Sequence, residues 1–346
     1  MLLEGDVVAV YEDFARYTED SPCFGEWARG VVGDPEVQAW LETLPEPKRQ
    51  PNLVFAAVRW HGLTAPAPYA ALRAALLGDD GTIRATVLSR ATQTNEAARM
   101  ATLLPALAGL AALGPEPVAL VEIGASAGLC LYPDRWGYRY RVADRPGSHE
   151  VGTQPGRPVL ECRVDGHDGA SVPLPTGLPT VAWRGGVDLN PLDVTDTDAM
   201  AWLETLVWPE HEDRRGVLRA AIDVARREPP DLVSGDLVEA LPALVERAAA
   251  HGRVVVQHSA VLSYLPAPAR VEASRLLHDL VDAGACHWIS NEGPDVLPEV
   301  TRTGPPPPSG SFVLGVDGRS VGWTHGHGRT LTWTAGSTGP GGRLSR

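Results

Sequence analysis

The chain has 346 residues, 44% of them hydrophobic, enough for one large or two modest domains with a substantial core. Its 43 acidic and 30 basic residues leave a net charge of −13, a field that repels phosphate and argues against non-specific nucleic-acid binding. Cys23, Cys130, Cys162 and Cys286 form no C-x-x-C pair and no metal-ligand spacing, so reduced thiols and no metal are expected. The opening "MLLEGDVVAVYEDFARY" carries acids where a signal peptide carries bases, and no apolar run approaches the roughly 20 residues of a membrane helix. A soluble, cytoplasmic protein is expected, with a small molecule rather than nucleic acid or membrane as its partner.

Residues 1–116 read as a helical cap. In "VVAVYEDFARYTE", Val7, Val10, Tyr11 and Phe14 recur at helical spacing. "PEVQAWLETL" follows Asp34, an N-cap type, with Pro35 at the first helical position. "PNLVFAAVRWHG" opens on Pro51 and stops at Gly62. "TQTNEAARMATLLPALAGLAAL" is apolar along one face, with a kink expected at Pro105.

Over 117–336 strands alternate with helices, which predicts an α/β domain with an open, mostly parallel, Rossmann-like sheet and helices on both faces. The predicted strands are "VALVEIG" (118–124), "TVAWRGGVDL" (180–189), "PDLVSGDL" (230–237), "RVVVQHSAVL" (253–262) and "ACHWISNE" (285–292). "GSFVLGVDG" and "GRTLTWTAG" read as a closing antiparallel pair. Residues 130–179 are expected as an insertion in which "YRYRVAD" and "RPVLECRV" form a hairpin, and 337–346 as a flexible tail.

The stretch "VEIGASAGL" (121–129) admits two chemistries. Gly124-Ala125-Ser126-Ala127-Gly128 is G-x-S-x-G, the serine-hydrolase elbow. Taken from Glu122, it is an acid followed by a glycine turn on the first strand of a sheet. With a helix behind it, that turn presents N–H groups to a nucleotide-like cofactor. A hydrolase needs earlier strands to build its oxyanion hole, and the preceding residues read as helical, which favours the cofactor. Later strand ends carry matching chemistry: Asp188 in "GGVDLNP" suits a ribose diol, Asp236 in "SGDL" an adenine amine, and "QHSAVLSYLP" brings His258 and Tyr264 to the same edge.

With "VEIGASAG", "GVDLNP", "VSGDL" and "VVVQHSAVLSYL" in place, residues 118–335 resemble the class I S-adenosylmethionine-dependent methyltransferases. The resemblance implies S-adenosylmethionine as cofactor, held by Glu122, Gly124, Ala125, Ser126, Gly128, Asp188 and Asp236. Ser126 stands where that family commonly has a middle glycine. Asp144 matches the usual spacing of roughly 20 residues to the ribose acid, whereas Asp188 has the better strand context. Nearly the whole chain resembles a bacterial family, domain-of-unknown-function family 2332, through "KRQPNLVFAAVR", "TQTNEAAR", "VEIGASAGLCL", "WRGGVDLNPLDV", "VWPE" and "HSAVLSYLP".

Those stretches suggest a polar lid. Gln93, Asn95, Glu96 and Arg99 recur at helical spacing, and with Arg49, Asn52 and Asn291 they are expected to line the pocket of a small polar methyl acceptor. His258 is the candidate base and Tyr264 or Asn291 the acceptor-orienting group. A non-catalytic ligand-binding scaffold and the serine hydrolase through Ser126 are the alternatives.

Overall fold

The structure, a computed structural model, describes residues 5–18, 20–93, 95–143 and 145–335, so Asp144 and the 337–346 tail lie outside the described residues. The helices are α1 (Val7–Tyr17), α2 (Pro22–Val32), α3 (Pro35–Glu42), α4 (Pro51–Trp60), α5 (Tyr69–Leu77), α6 (Thr82–Ser89), α7 (Met100–Ala111), α8 (Thr197–Leu206), α9 (Glu212–Arg227), α10 (Leu237–Ala249), α11 (Ala267–Asp282) and α12 (Pro298–Thr301). The strands are β1 (Val118–Ile123), β2 (Gly137–Val142), β3 (His149–Val151), β4 (Val159–Gly166), β5 (Val181–Asp188), β6 (Asp231–Ser234), β7 (Arg253–Ser259), β8 (His287–Glu292), β9 (Phe312–Val316), β10 (Arg319–Thr324) and β11 (Thr330–Trp333). Among the described residues no helix is long and apolar enough to cross a membrane, and the four cysteines are buried and free.

Two compact units result, Met1–Gln93 with Thr195–Arg219, and Thr94–Val194 with Ala220–Arg346. The first is helical. Asp34 caps α3 by accepting from the Glu36 and Val37 amides, and Ser21 caps α2 just ahead of Pro22. Its core is aromatic: Phe55 meets Phe24 at 5.1 Å and Trp27 at 5.3 Å between ring centroids, with Tyr11, Phe14 and Trp208 around them. The later segment is stapled in by Arg59, whose Nη1 donates to Thr205 O and Val207 O (2.7 Å each), and by Glu210, which accepts from Ser21 Oγ (2.6 Å) and Cys23 N (2.8 Å). The expected cap therefore gains residues 195–219, and α7 goes to the other unit, where it packs on β4 and β8 and continues through Pro105.

The second unit holds one sheet of order β3-β2-β4-β11-β10-β9-β8-β7-β1-β5-β6. The run β6-β5-β1-β7-β8 is all parallel. Numbered among themselves these five strands read 3-2-1-4-5, the doubly wound order, with its switch point between β1 and β7. β1 is buried at all six positions, as a central strand covered on both faces must be. Ala119, Val121 and Ile123 face α10 and α11 together with Val254, Val256 and Trp288. By alternation Leu120 and Glu122 face the other way.

Two strand expectations and one helix expectation change. "GSFVLGVDG" and "GRTLTWTAG" do not pair with each other, because β10 lies between β9 and β11 and pairs antiparallel with both. Asp317 and Gly318 at φ +46° and +77° make the two-residue reversal into β10, the usual Asp-Gly hairpin chemistry. β2 and β4 are neighbours but parallel, so they form no hairpin; β3 makes the antiparallel return on the other side of β2. The 130–179 segment thus extends the far edge of the sheet through β4 against β11. Finally, no α-helix follows the glycine turn.

Trp27 is fully buried and donates Nε1–H to Ala67 O at 2.7 Å. Trp27→Ala should cost about 3–5 kcal/mol in urea denaturation, whereas a loss below about 1 kcal/mol would show that the helical unit is not held by this cluster.

Candidate functional site

The apolar run of β1 ends in a turn with Gly124, Ser126 and Gly128 at φ +64°, +51° and +68°. Each of its amides already has an acceptor. Gly124 and Ala125 donate to Val187 O (2.8 and 3.2 Å), Ser126 to Asp188 Oδ2 (2.8 Å), Ala127 to Asn95 Oδ1 (3.1 Å) and Gly128 to Ala125 O (2.6 Å). Asn95 Nδ2 also donates to Ser126 Oγ at 2.6 Å. The space beside the glycines is filled too: a Cβ on Gly124 would lie 2.5 Å from Val261 Cγ1, and one on Gly128 2.7 Å from Pro230 Cγ. Behind the turn runs irregular chain with a single 3₁₀ turn, Pro133–Arg135, where Leu129, Leu131, Tyr132 and Trp136 are buried.

Both chemistries proposed for this stretch lose a part they need. A nucleotide cradle uses amide protons at a helix N-terminus, and here the amides are engaged and no helix begins. An oxyanion hole uses the amide after the serine, and Asn95 holds that amide. The glycines answer to packing and to positive φ, which Ser126 shares at a steric cost.

The neighbouring strand ends lock the turn in place. Asp188 accepts from Asn190 N with Oδ1 (2.8 Å) while holding Ser126 N with Oδ2. Glu292, at the end of β8, accepts three hydrogen bonds with Oε1: from His258 Nδ1 (2.7 Å), Val261 N (2.9 Å) and Leu262 N (3.1 Å). That fixes the loop after β7, with Ala260 at φ +56°, and so seats Val261 on Gly124.

His258 is correspondingly committed. Its Nε2 accepts from the Trp288 indole at 2.9 Å, and an indole can only donate, so the proton sits on Nδ1 facing Glu292. The ring is buried with both nitrogens used, and it faces the α10–α11 side of the sheet through its contact with Trp288. This geometry leaves no ring lone pair for an incoming proton, in contrast to the expectation of a base.

The opposite face carries the polar cluster. Register pairs Glu122 with Gln257, and Ser259 with Asn291, on adjacent parallel strands. Thr324 Oγ1 donates to Asn291 Oδ1 (2.6 Å) and Asn291 Nδ2 to Ser259 Oγ (2.9 Å), so the fully buried Asn291 is a rung of a ladder rather than a ligand-facing amide. Arg99 lies over this edge, donating Nε–H to Gly326 O (2.7 Å) and Nη1–H to Ser259 O (2.9 Å). Glu96 Oε2 meets His327 Nδ1 at 3.1 Å, and the Cys130 thiol donates to Glu96 O at 3.5 Å. Asn95 and Glu96 precede a 3₁₀ turn, Ala97–Arg99, so the expected helical face is instead a short strap.

The structure thus gathers Asn95, Glu96, Arg99, Glu122, Ser126, Asp188 and Asn291. Tyr264 sits on a 3₁₀ turn after β7 and is 49% exposed. Asp236 caps α10 through Val238 N at 2.8 Å. Arg49, Asn52 and Gln93 belong to the helical unit; there Arg49 holds Leu44 O and Glu42 O, and Asn52 accepts from Trp208 Nε1 at 2.9 Å. Ser259 was expected at this edge with His258; Gln257, Thr324, His327 and Glu292 were not. Their signal was polar residues closing apolar strand runs, as in "VVVQHS" and "WISNE".

Three buried oxygens at these strand ends have no hydrogen-bond partner, Glu122 Oε2, Gln257 Oε1 and Glu292 Oε2. The amide orientation of Gln257 is set by Nε2–H donating to Cys130 O at 2.9 Å; a flip would oppose two oxygens. Burial pushes the Glu122 carboxyl up to about 8, with Asp188 adding to the rise and the Arg99 guanidinium opposing it. The folded chain therefore binds a proton that the unfolded chain releases near 4.5. This group's stabilisation is complete below about pH 4.5, falls by about 1.4 kcal/mol per pH unit up to about 8, and is flat above. Urea midpoints between pH 5 and 8 should show that slope in the native chain and lose it in Glu122→Gln; identical slopes would refute the assignment. Gly124→Ala should cost about 2–4 kcal/mol, well above Gly62→Ala, where φ is +98° but no atom lies within 4 Å. Equal costs would mean that Val261 does not pack on the turn.

Among the described residues no group of three or more His, Cys, Asp or Glu side chains could hold a metal ion. No curated protein and no solved structure matches the chain. A family model described as an uncharacterized protein conserved in bacteria, DUF2332, matches residues 8–333, which carry both the strap at 95–99 and all the strand ends of the site, and the chain belongs to that family.

Proposed function

We propose that the chain transfers a methyl group from S-adenosylmethionine to a small polar acceptor. The observation that carries this reading is the pair of carboxylates, Glu122 and Asp188, on consecutive strand ends beside the switch point of a doubly wound sheet, where ligands of such sheets bind. Asp188 spends one lone pair of each oxygen on a backbone amide and keeps the others for vicinal hydroxyls. Next to it Leu189, 64% exposed, offers an apolar surface to a base.

The fit is partial. The turn has no amide proton to give to an amino-acid carboxylate, so that end of the cofactor would be held differently from what the glycine pattern implies. When bound, S-adenosylmethionine supplies an electrophilic methyl; the protein then has chiefly to align the acceptor. Tyr264 is the exposed polar side chain after β7 that suits this, and His258 is assigned no proton transfer. A net charge of −13 favours a small acceptor over a polyanion. The internally satisfied turn favours one rival, a non-catalytic scaffold.

Calorimetry separates the two. S-adenosylhomocysteine should bind one to one, and Asp188→Asn should weaken it about tenfold to a hundredfold; the variant should also lose some thermal stability, because its amide nitrogen would face one of the two backbone N–H groups that Asp188 accepts, so binding is compared where both proteins are fully folded. A folded protein that binds neither S-adenosylmethionine nor S-adenosylhomocysteine would leave the scaffold. A fluorophosphonate probe should leave Ser126 unlabelled, and labelling would restore the hydrolase.

A further inference from the structure

We propose that Arg99 is the anchor for a carboxylate carried by the small molecule that binds at this edge of the sheet. The identity of that molecule rests on the methyl-donor reading; the anchor rests on the guanidinium and its surroundings alone.

Arg99 ends the 3₁₀ strap Ala97–Arg99, directly ahead of α7, and is only 5% exposed. Its guanidinium lies over the Phe312 ring of β9, 5.7 Å from the centroid. Nε–H goes to Gly326 O, in the loop between β10 and β11, and Nη1–H to Ser259 O, at the end of β7. Both acceptors are neutral carbonyls, and a guanidinium has five N–H groups to give. Among the described residues Nη2 has no acceptor, yet it is not sealed into the core. A side chain this deeply set, held by two of its nitrogens and open at the third, is aimed rather than merely tolerated.

A guanidinium stays charged at any ordinary pH, and burying it without a counter-charge is costly. The acids gathered at this edge do not supply one. Asp188 holds the Ser126 and Asn190 amides, and Glu292 holds His258 with the Val261 and Leu262 amides. Glu96 meets His327 at 3.1 Å. Glu122 is favoured as a carboxylate by Arg99, but burial still pushes it up to about 8, so at neutral pH it is mostly uncharged. No ion pair with Arg99 forms among the described residues, although acids surround it. A single carboxylate balances a single guanidinium. A phosphate dianion would add to the charges of Asp188 and Glu96 in a chain of net charge −13. Position supports the same assignment. β7 and β5 flank β1 on opposite sides, so Arg99 stands across the switch point from Asp188. A molecule whose diol reaches Asp188 turns its other end, or the acceptor beside it, towards Arg99. The carboxylate therefore comes from the acceptor or from the amino-acid end of the donor, and the chemistry at Nη2 is the same for both.

The test compares acids with their own amides on the full chain. In calorimetry, S-adenosylhomocysteine is set against its carboxamide and against 5′-methylthioadenosine, which lacks the amino-acid arm. If the donor supplies the carboxylate, the carboxamide should bind about tenfold to a hundredfold more weakly. Arg99→Met should erase that difference and leave methylthioadenosine binding unchanged. If acid and carboxamide bind alike, the acceptor supplies it. Acetate, butyrate, benzoate and succinate should then raise the melting temperature in the presence of S-adenosylhomocysteine, their amides and equimolar sodium chloride should not, and Arg99→Met should abolish the rise. If no adenosyl compound binds, the methyl-donor reading fails, and the same acids and amides tested alone decide the anchor. Arg99→Lys, which keeps the charge but not the planar donors, should retain a reduced preference for acids. Should both variants fail to fold, a crystal structure of the native chain with the preferred acid replaces them, and a carboxylate oxygen within hydrogen-bond distance of Arg99 Nη2 is the expected result. A carboxylate seated elsewhere, an acid preference that survives Arg99→Met, inorganic phosphate outdoing every acid, or no acid outdoing its amide overturns the proposal.

Discussion

A turn with three residues at positive φ, set at the mouth of a buried parallel sheet, has to find acceptors for its amides, and most of the candidate site exists in the form it does because of that constraint. Asp188 takes the Ser126 amide, Asn95 takes the Ala127 amide and the serine hydroxyl, and Val187 takes two more. Residues expected to face a ligand instead face the turn. The same carboxylates and amides that suggest recognition chemistry in the sequence are, in the fold, first of all backbone acceptors. Any ligand must use what remains of their capacity.

The loop after β7 closes the arrangement from the other side. Glu292 gathers His258, Val261 and Leu262, and Val261 fills the space beside Gly124. A single buried carboxylate oxygen therefore couples the ends of β8, β7 and β1. Removing one partner from such a network leaves another buried and unpaired, so its members act together. His258 belongs to this network by both ring nitrogens. Its position at a strand end over a ligand-binding edge made it look catalytic, but a buried imidazole between a carboxylate and an indole is a connector.

Against that background Glu122 Oε2, Gln257 Oε1 and Glu292 Oε2 stand out as buried oxygens without a hydrogen-bond partner. Buried polar atoms are almost always paired. Nothing similar occurs at the Thr324–Asn291–Ser259 ladder nearby, where donors and acceptors alternate along neighbouring strands.

The sequence by itself determined the doubly wound core. β1 and β7 carry the apolar runs of buried parallel strands, and the alternation with helical patterns made β5, β6 and β8 legible beside them, as were the acids at strand ends and the aromatic helices before them. It also drew attention to Asn95, which bonds the turn itself rather than an acceptor. It could not say that no helix follows Gly128, because glycine spacing is the same for a cofactor cradle and for a turn packed by Val261 and Pro230. It could not separate β10 from its neighbours, although Asp317-Gly318 carried the hairpin signal. Nor could it assign His258. Gln257 and His258 are adjacent in the chain but face opposite sides of the sheet, and only the register of β7 against β8 brings Trp288 and Glu292 to the histidine and leaves the glutamine beside Glu122. Local pattern decides which residues form strands and where they end. Which side chains then consume one another's hydrogen bonds is decided by contacts between strands distant in sequence, and only the tertiary structure holds that information.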